Sequence, residues 1–242
     1  VTVGGVVVSN ATLHNEDYIA GRDGNGDPIR EGRDLRVGDT VTVYRAGDVI
    51  PKVLDVDLSK RPKDAEPWQP PQTCPCELRT HTIRPEGEAV RRCTGEVACP
   101  YQRLEHLKHF VSRNAFDIEG LGAKQVEAFW RDGWITEPAD IFTLEARYGD
   151  SCVQQVKNRE GWGAKSAANL FAAIDARRTI PLDRLIFALG IRHVGETSAR
   201  MLARAYGDWP SFETAMREAA EPDSEARAHL LAVDGVGEVM AT

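Results

Sequence analysis

The sequence has no long apolar run, little aromatic content and no net positive charge. No stretch approaches the roughly 18 apolar residues that a membrane span needs, so no membrane partner is expected. No charged-then-apolar signal precedes the first strand-like residues, which points to the cytoplasm and makes disulfides unexpected. The chain opens at Val1 rather than Met and stops at Thr242 inside a helical pattern. Both ends read as those of a piece of a longer protein. A net charge of −7 argues against binding nucleic acid through bulk charge. Its distribution is uneven, however. Residues 205–242 hold eight acids and two bases, whereas residues 157–204 hold nine bases and four acids. Any polyanion should therefore meet the middle of the helical part. An ordinary solvated helical surface would show the same charges.

What is present falls into three sections: 1–66, 67–102 and 103–242. The first reads as strands. Thr40-Val41-Thr42-Val43-Tyr44 alternates, and Ala46-Gly47-Asp48 turns into Val49-Ile50-Pro51-Lys52-Val53. Asp23-Gly24-Asn25-Gly26-Asp27-Pro28 is a loop signal. This suits a small barrel, short for a five-stranded OB-fold and so expected to be incomplete at its amino end. Pro67, Pro70 and Pro71 around Trp68 form a stiff linker into the cysteine-bearing segment. From Arg103 the pattern is helical, with short helices expected at 125–130, 166–177, 182–189, 197–206 and 211–219. The fold class is multidomain α+β: a partial OB-fold β-barrel, a small four-cysteine module and an all-α domain.

Four of the five cysteines cluster as Cys74-Pro75-Cys76 and Cys93 with Cys99. Two close pairs joined by a short ribbon suit a tetrahedral thiolate site for structural Zn2+. The pairs are spaced by one and five residues, where two to four is usual, and a chance gathering of free thiols is the alternative. His81, His106 and His109 are the substitute ligands nearby. A filled tetrahedral shell leaves no position for a catalytic water. Cys152 stands alone and reads as a small core residue.

The helical part repeats one pattern: an apolar residue between two glycines, then a helix. The copies are Gly120-Leu121-Gly122-Ala123-Lys124, Gly161-Trp162-Gly163-Ala164-Lys165, His193-Val194-Gly195-Glu196 and Gly235-Val236-Gly237-Glu238. This is the helix-hairpin-helix pattern. Its glycines permit a tight turn and close approach of another chain. They lie before a helix N-terminus, where unpaired N–H groups and the dipole favour an anion. A DNA phosphate is the natural anion for such a series, bound without reading sequence. Lys124 and Lys165 stand two residues beyond the second glycine and can add charge there. One Gly-x-Gly before a helix is weak, but a fourfold internal repeat is much stronger. The competing reading is a helical repeat whose glycines only permit packing. His193 makes the third copy the packing-only candidate, and the acids around the fourth weaken a phosphate role for it.

Several longer stretches now carry a resemblance. They are Val8-Ser9-Asn10-Ala11-Thr12-Leu13-His14-Asn15, Arg45-Ala46-Gly47-Asp48-Val49-Ile50-Pro51-Lys52-Val53, Phe116-Asp117-Ile118-Glu119-Gly120-Leu121-Gly122 and Phe187-Ala188-Leu189-Gly190-Ile191-Arg192-His193-Val194-Gly195. Together they resemble the OB-fold, zinc and hairpin regions of bacterial NAD-dependent DNA ligases, in that family's order. The resemblance implies an enzyme that moves adenylate from NAD to a lysine and then to a 5′-phosphate, and seals nicks in duplex DNA with Mg2+. It implies that Arg45, Val49 and Ile50 contact the minor groove; from the residues themselves, Cys74, Cys76, Cys93 and Cys99 are expected to hold Zn2+, and Gly120, Gly122, Lys124, Gly161, Gly163, Lys165, Gly195, Gly235 and Gly237 to meet DNA. The catalytic lysine, the NAD pocket and the BRCT domain belong to segments outside this chain, since no Lys-x-Asp-Gly motif occurs in it. No catalytic residue is therefore expected here, and the isolated segment should not ligate. A non-catalytic DNA-binding scaffold and a protein-interaction module are the competing readings.

Overall fold

The computed structural model describes residues 1–3, 5–46 and 50–241; the side chains of Arg45 and Ala46 and the whole of Val49 lie outside the described set. The chain divides into two compact units, Val1–Cys99 and Pro100–Thr242.

The first unit is built from three antiparallel hairpins. β1 (Thr2–Val3) pairs with β2 (Val6–Val7), and β3 (Val41–Ala46) pairs with β4 (Ile50–Val56) around a bulge at Thr42/Val43. β5 (Thr82–Ile83) pairs with β6 (Arg92–Cys93). A short helix α1 (Glu16–Ile19) interrupts the strand region, started by Asn15, whose side chain accepts the Tyr18 N–H at 2.9 Å. Sequence patterning left this helix unassigned, because a single turn shows no periodicity.

Apolar packing in this unit is slight. Leu35, Val53 and Val56 form its main cluster. Ions carry much of the rest. Asp39 takes two bonds from the Arg61 guanidinium, both at 2.8 Å, and one from the Arg36 N–H. Arg61 thereby holds the Asp39 carboxyl below its ordinary range despite burial. Arg84 binds both Glu16 and Asp17, and Arg91 binds Glu16 at 3.0 Å, so the cysteine ribbon is clasped to α1.

The second unit is helical. α2 (Pro100–Phe110) begins at a proline, which suits the first helical position because its missing N–H costs nothing there. It starts earlier than the Arg103 boundary expected from patterning. α3 (Ala123–Arg131), α4 (Pro138–Ile141), α5 (Leu144–Tyr148), α6 (Ala164–Ala176) and α7 (Leu182–Ala188) follow. α8 (Glu196–Tyr206), α9 (Trp209–Ala219), α10 (Glu225–Ala232) and α11 (Glu238–Ala241) complete it.

Two apolar cores organise these helices. The first gathers Leu107, Phe110, Leu121, Val126, Phe129, Leu170, Phe171 and Ile174 with their neighbours. The second gathers Ile186, Val194, Ala199, Leu202, Phe212, Leu230 and Val236. Each fully buried side chain of this size contributes about 1.5–3 kcal/mol, so packing alone can hold this unit. The first two glycine turns share the first core, and the last two share the second.

Candidate nucleic-acid interface and metal centre

The four glycine-containing turns are copies of one local structure. In each, the middle apolar residue donates its N–H to the carbonyl three residues back. These bonds are Leu121 to Ile118 at 3.1 Å, Trp162 to Arg159 at 3.0 Å, Val194 to Ile191 at 3.0 Å and Val236 to Val233 at 3.0 Å. The carbonyl of the second glycine then accepts the first helical bond, from Val126, Ala167, Ala199 and Ala241 respectively. The middle residue is the anchor: Leu121, Val194 and Val236 are buried and Trp162 packs on the first core.

The first position of each copy adopts left-handed backbone: φ is +83° at Gly120, +77° at Gly161 and +78° at Gly235. His193 takes the same conformation at +65°. The third copy is therefore not degenerate in geometry. A non-glycine residue accepts some strain to keep the turn.

The second glycines differ. Gly122, Gly163 and Gly195 have φ of −77°, −150° and −86°, which any residue tolerates. A Cβ at Gly163, Gly195 or Gly237 would meet no heavy atom within 4 Å, and at Gly122 only the Gln125 Oε1 at 3.3 Å. All four are exposed. Among the described residues no backbone or rigid neighbour requires glycine at these positions, and each leads into a helix whose first-turn N–H groups lack intrahelical partners.

Charge separates the copies into two kinds. After the second glycine come Ala123-Lys124 and Ala164-Lys165 in the first two, but Glu196 and Glu238 in the last two. Lys124 and Lys165 are exposed and make no ion pair among the described residues. Glu196 is held by the Asn114 Nδ2 at 2.6 Å, and Glu238 by Arg227 at 3.1 Å. Patterning missed Arg200 and Arg204, which lie four residues apart on the exposed side of α8 without an ion pair among the described residues.

In the first unit, Arg45 lies on β3 opposite Pro51, and Ile50 opens β4 with its side chain half exposed. Core packing does not account for Ile50. Val49 lies outside the described residues.

The sulfurs of Cys74, Cys93 and Cys99 lie within 4.8 Å of one another, with Cys74 and Cys99 at 3.7 Å. Cys76 is buried in the same cluster, but its sulfur is not among the three that lie within 4.8 Å of one another. Backbone donors face the sulfurs. The Gly95 N–H donates to the Cys93 Sγ at 3.2 Å, and the N–H groups of Leu78 and Arg79 face the Cys76 sulfur. Gly95 has no room for a side chain: a Cβ would sit 2.9 Å from that of Cys99. The Cys76 N–H draws the Cys74 thiol down, but burial and the three neighbouring sulfurs outweigh it and push it up to about 12. Burial opposes ionisation of Cys76 as well, yet the Cys74 thiol and those N–H groups hold it below its ordinary value. Such a cluster ionises fully only around a cation, and soft thiolates with N–H support suit a metal. None of the three histidines joins it. His81 is exposed, and His106 and His109 bond to backbone carbonyls in the helical unit. Cys152 lies apart, its thiol on the Ala146 carbonyl at 3.3 Å.

An OB-fold segment, a cysteine cluster able to hold a metal and a repeated hairpin define a multidomain helix-hairpin-helix protein. Residues 1–65 match the family described as the NAD-dependent DNA ligase OB-fold domain, and residues 184–242 match the helix-hairpin-helix motif. Proteins named DNA ligase from Cereibacter sphaeroides and Roseobacter denitrificans are each 66% identical over 100% of this chain and 34% of their own length. One from Paracoccus denitrificans is 66% identical over 97% of the chain and 30% of its own length. Residues 1–65 carry the OB-fold domain of NAD-dependent DNA ligases, and the chain as a whole is similar to proteins named DNA ligase. It spans about a third of the length of the curated relatives it matches. Among the described residues no helix is long and apolar enough to cross a membrane.

Proposed function

We propose that this chain is the part of a nick-sealing NAD-dependent DNA ligase that grips duplex DNA, with residues 1–66, 67–102 and 103–242 as its functional sections. NAD and Mg2+ serve the whole enzyme through its adenylation domain. The four cysteines hold structural Zn2+, and the setting is cytoplasmic. One observation carries the reading: four turns of the same geometry end in exposed glycines, three with empty side-chain space and Gly122 facing only the tip of Gln125, each before a helix N-terminus. An internal packing role would fill that space. An outside backbone that must come close, attracted by N–H groups and the dipole, explains the glycine. Lys124 and Lys165 supply charge to the first two sites. Arg45 and the exposed Ile50, with Val49, would add contacts in the minor groove, where apolar side chains press on sugars.

The test is a nicked-duplex titration at two salt concentrations on metal-replete protein, with metal content measured alongside. Salt-sensitive binding indifferent to sequence, with one zinc per chain, is expected. Absence of duplex binding at low salt would overturn the reading. Stripping the metal with a chelator should loosen residues 73–99 while most helical circular dichroism survives, because the helices have their own cores.

A further inference from the structure

The two hairpin pairs are joined through α7, which serves both cores: Ile186 packs in the second, Ala188 in the first, and Phe187 lies against both. The carboxyl end of α7 carries no basic residue of its own. Its carbonyls are met instead by two histidines from α2, one turn apart. The His106 Nε2 lies 3.0 Å from the Leu189 oxygen, and the His109 Nε2 lies 2.7 Å from the Phe187 oxygen. A carbonyl only accepts, so each Nε2 carries a proton and donates. The His109 ring also stands edge-on to Phe187, with centroids 4.7 Å apart. The chain leaves α7 through Gly190 at φ +66°, where a Cβ would come within 3.1 Å of the His106 ring. Arg184 ties the other side, donating to the Ala115 and Arg113 carbonyls at 2.7 Å each.

We infer that His106 and His109 are positioning residues that lock the two hairpin pairs into one geometry, so that both engage a single duplex at once. The role in DNA engagement rests on the function proposed above; the locking itself does not. The histidines reach across about eighty residues of sequence to bonds that neither core requires, since both rings lie outside the buried clusters. Two weak grips held at a fixed spacing act as one strong grip, because the second contact forms at high effective concentration.

Two readouts separate the parts. Donor and acceptor labels go on exposed positions 145 and 221, one on each core, through non-natural residues. Wild type should give one narrow distance distribution without DNA, and His106→Leu with His109→Leu a broad one. His106→Gln with His109→Gln, which keeps an N–H donor at similar reach, should restore the narrow one. A narrow distribution in the Leu variant, or a Gln variant as broad as the Leu variant, overturns the inference. If the Leu double variant loses its helical signal, His106→Leu alone replaces it under the same criteria. In titrations, the Leu variant should lose about tenfold affinity for a duplex long enough for both pairs and little for one that reaches only one pair. Equal losses on both overturn the inference. Failure of wild type to bind either duplex would refute the DNA reading and leave the distance result standing.

Discussion

The first hairpin pair, at Gly120–Lys124 and Gly161–Lys165, and the second, at His193–Glu196 and Gly235–Glu238, have the same backbone and opposite local charge. Turn bond, left-handed first residue, an anchor packed on a core and an exposed second glycine recur in all four. The first pair follows these with lysines that make no ion pair among the described residues; the second follows them with glutamates held by Asn114 and Arg227. A carboxylate in the first turn satisfies the same dipole that a phosphate would. The difference separates two jobs that one motif can do. On the proposed function, the first pair would grip an external anion more strongly, and the second, which brings its own carboxylate, more weakly.

Reversing charge should show the largest contrast. Lys124→Glu with Lys165→Glu is expected to cut duplex affinity by roughly a hundredfold at moderate salt, because two attractive contacts become repulsive. Thr197→Glu with Val239→Glu, at the matching positions of the second pair, should cost only about threefold by the same argument. Equal losses would erase the distinction between the pairs.

Closing the space at the second glycine comes next. Gly163→Val should lower affinity about tenfold, and Gly195→Val about two- to threefold, by blocking close approach to first-turn N–H groups. Thermal melting should move by only a few degrees in both, since neither side chain meets an internal neighbour. Gly120→Val serves as control: at φ +83° it should lower stability by about 1–2 kcal/mol as well as binding.

The smallest effect concerns the carboxylates. Glu238→Gln should tighten binding by about twofold at low salt and not at all at high salt, because an exposed charge is well screened. Acid sharpens a different contrast, between the units. Arg91 and Arg84 hold Glu16 below its ordinary range, and Arg84 does so for Asp17. Their contribution is complete above the unfolded carboxylate range and is lost as pH falls through the lowered values. Far-acid titration should therefore loosen the first unit before the helical one, followed by tryptophan fluorescence at Trp68 against helical circular dichroism.

Much of this was visible in sequence. Gly-x-Gly before an apolar-periodic run placed α3, α6 and α8 to within two residues, because a left-handed turn followed by an open helix start leaves few alternatives to glycine. Alternation marked β3 and β4. The cysteines stood out by crowding, although pair spacing could not show that Cys74 lies against Cys99. Other features were hidden for physical reasons. His193 looked like a broken motif because strain tolerated in a tertiary context leaves no trace in composition. α1 is a single turn. His106 and His109 read as spare metal ligands, since a bond to a carbonyl more than seventy-five residues away leaves no local signature. Ile50 read as either core or surface, and only exposure separates those.

The salt dependence of nicked-duplex binding tests the central claim most directly, with wild type beside Lys124→Ala with Lys165→Ala. If the first pair grips phosphates through these lysines, affinity should fall for every sequence alike, and the slope of log affinity against log salt should become shallower by about 1.8. An unchanged slope in the double variant would contradict the account.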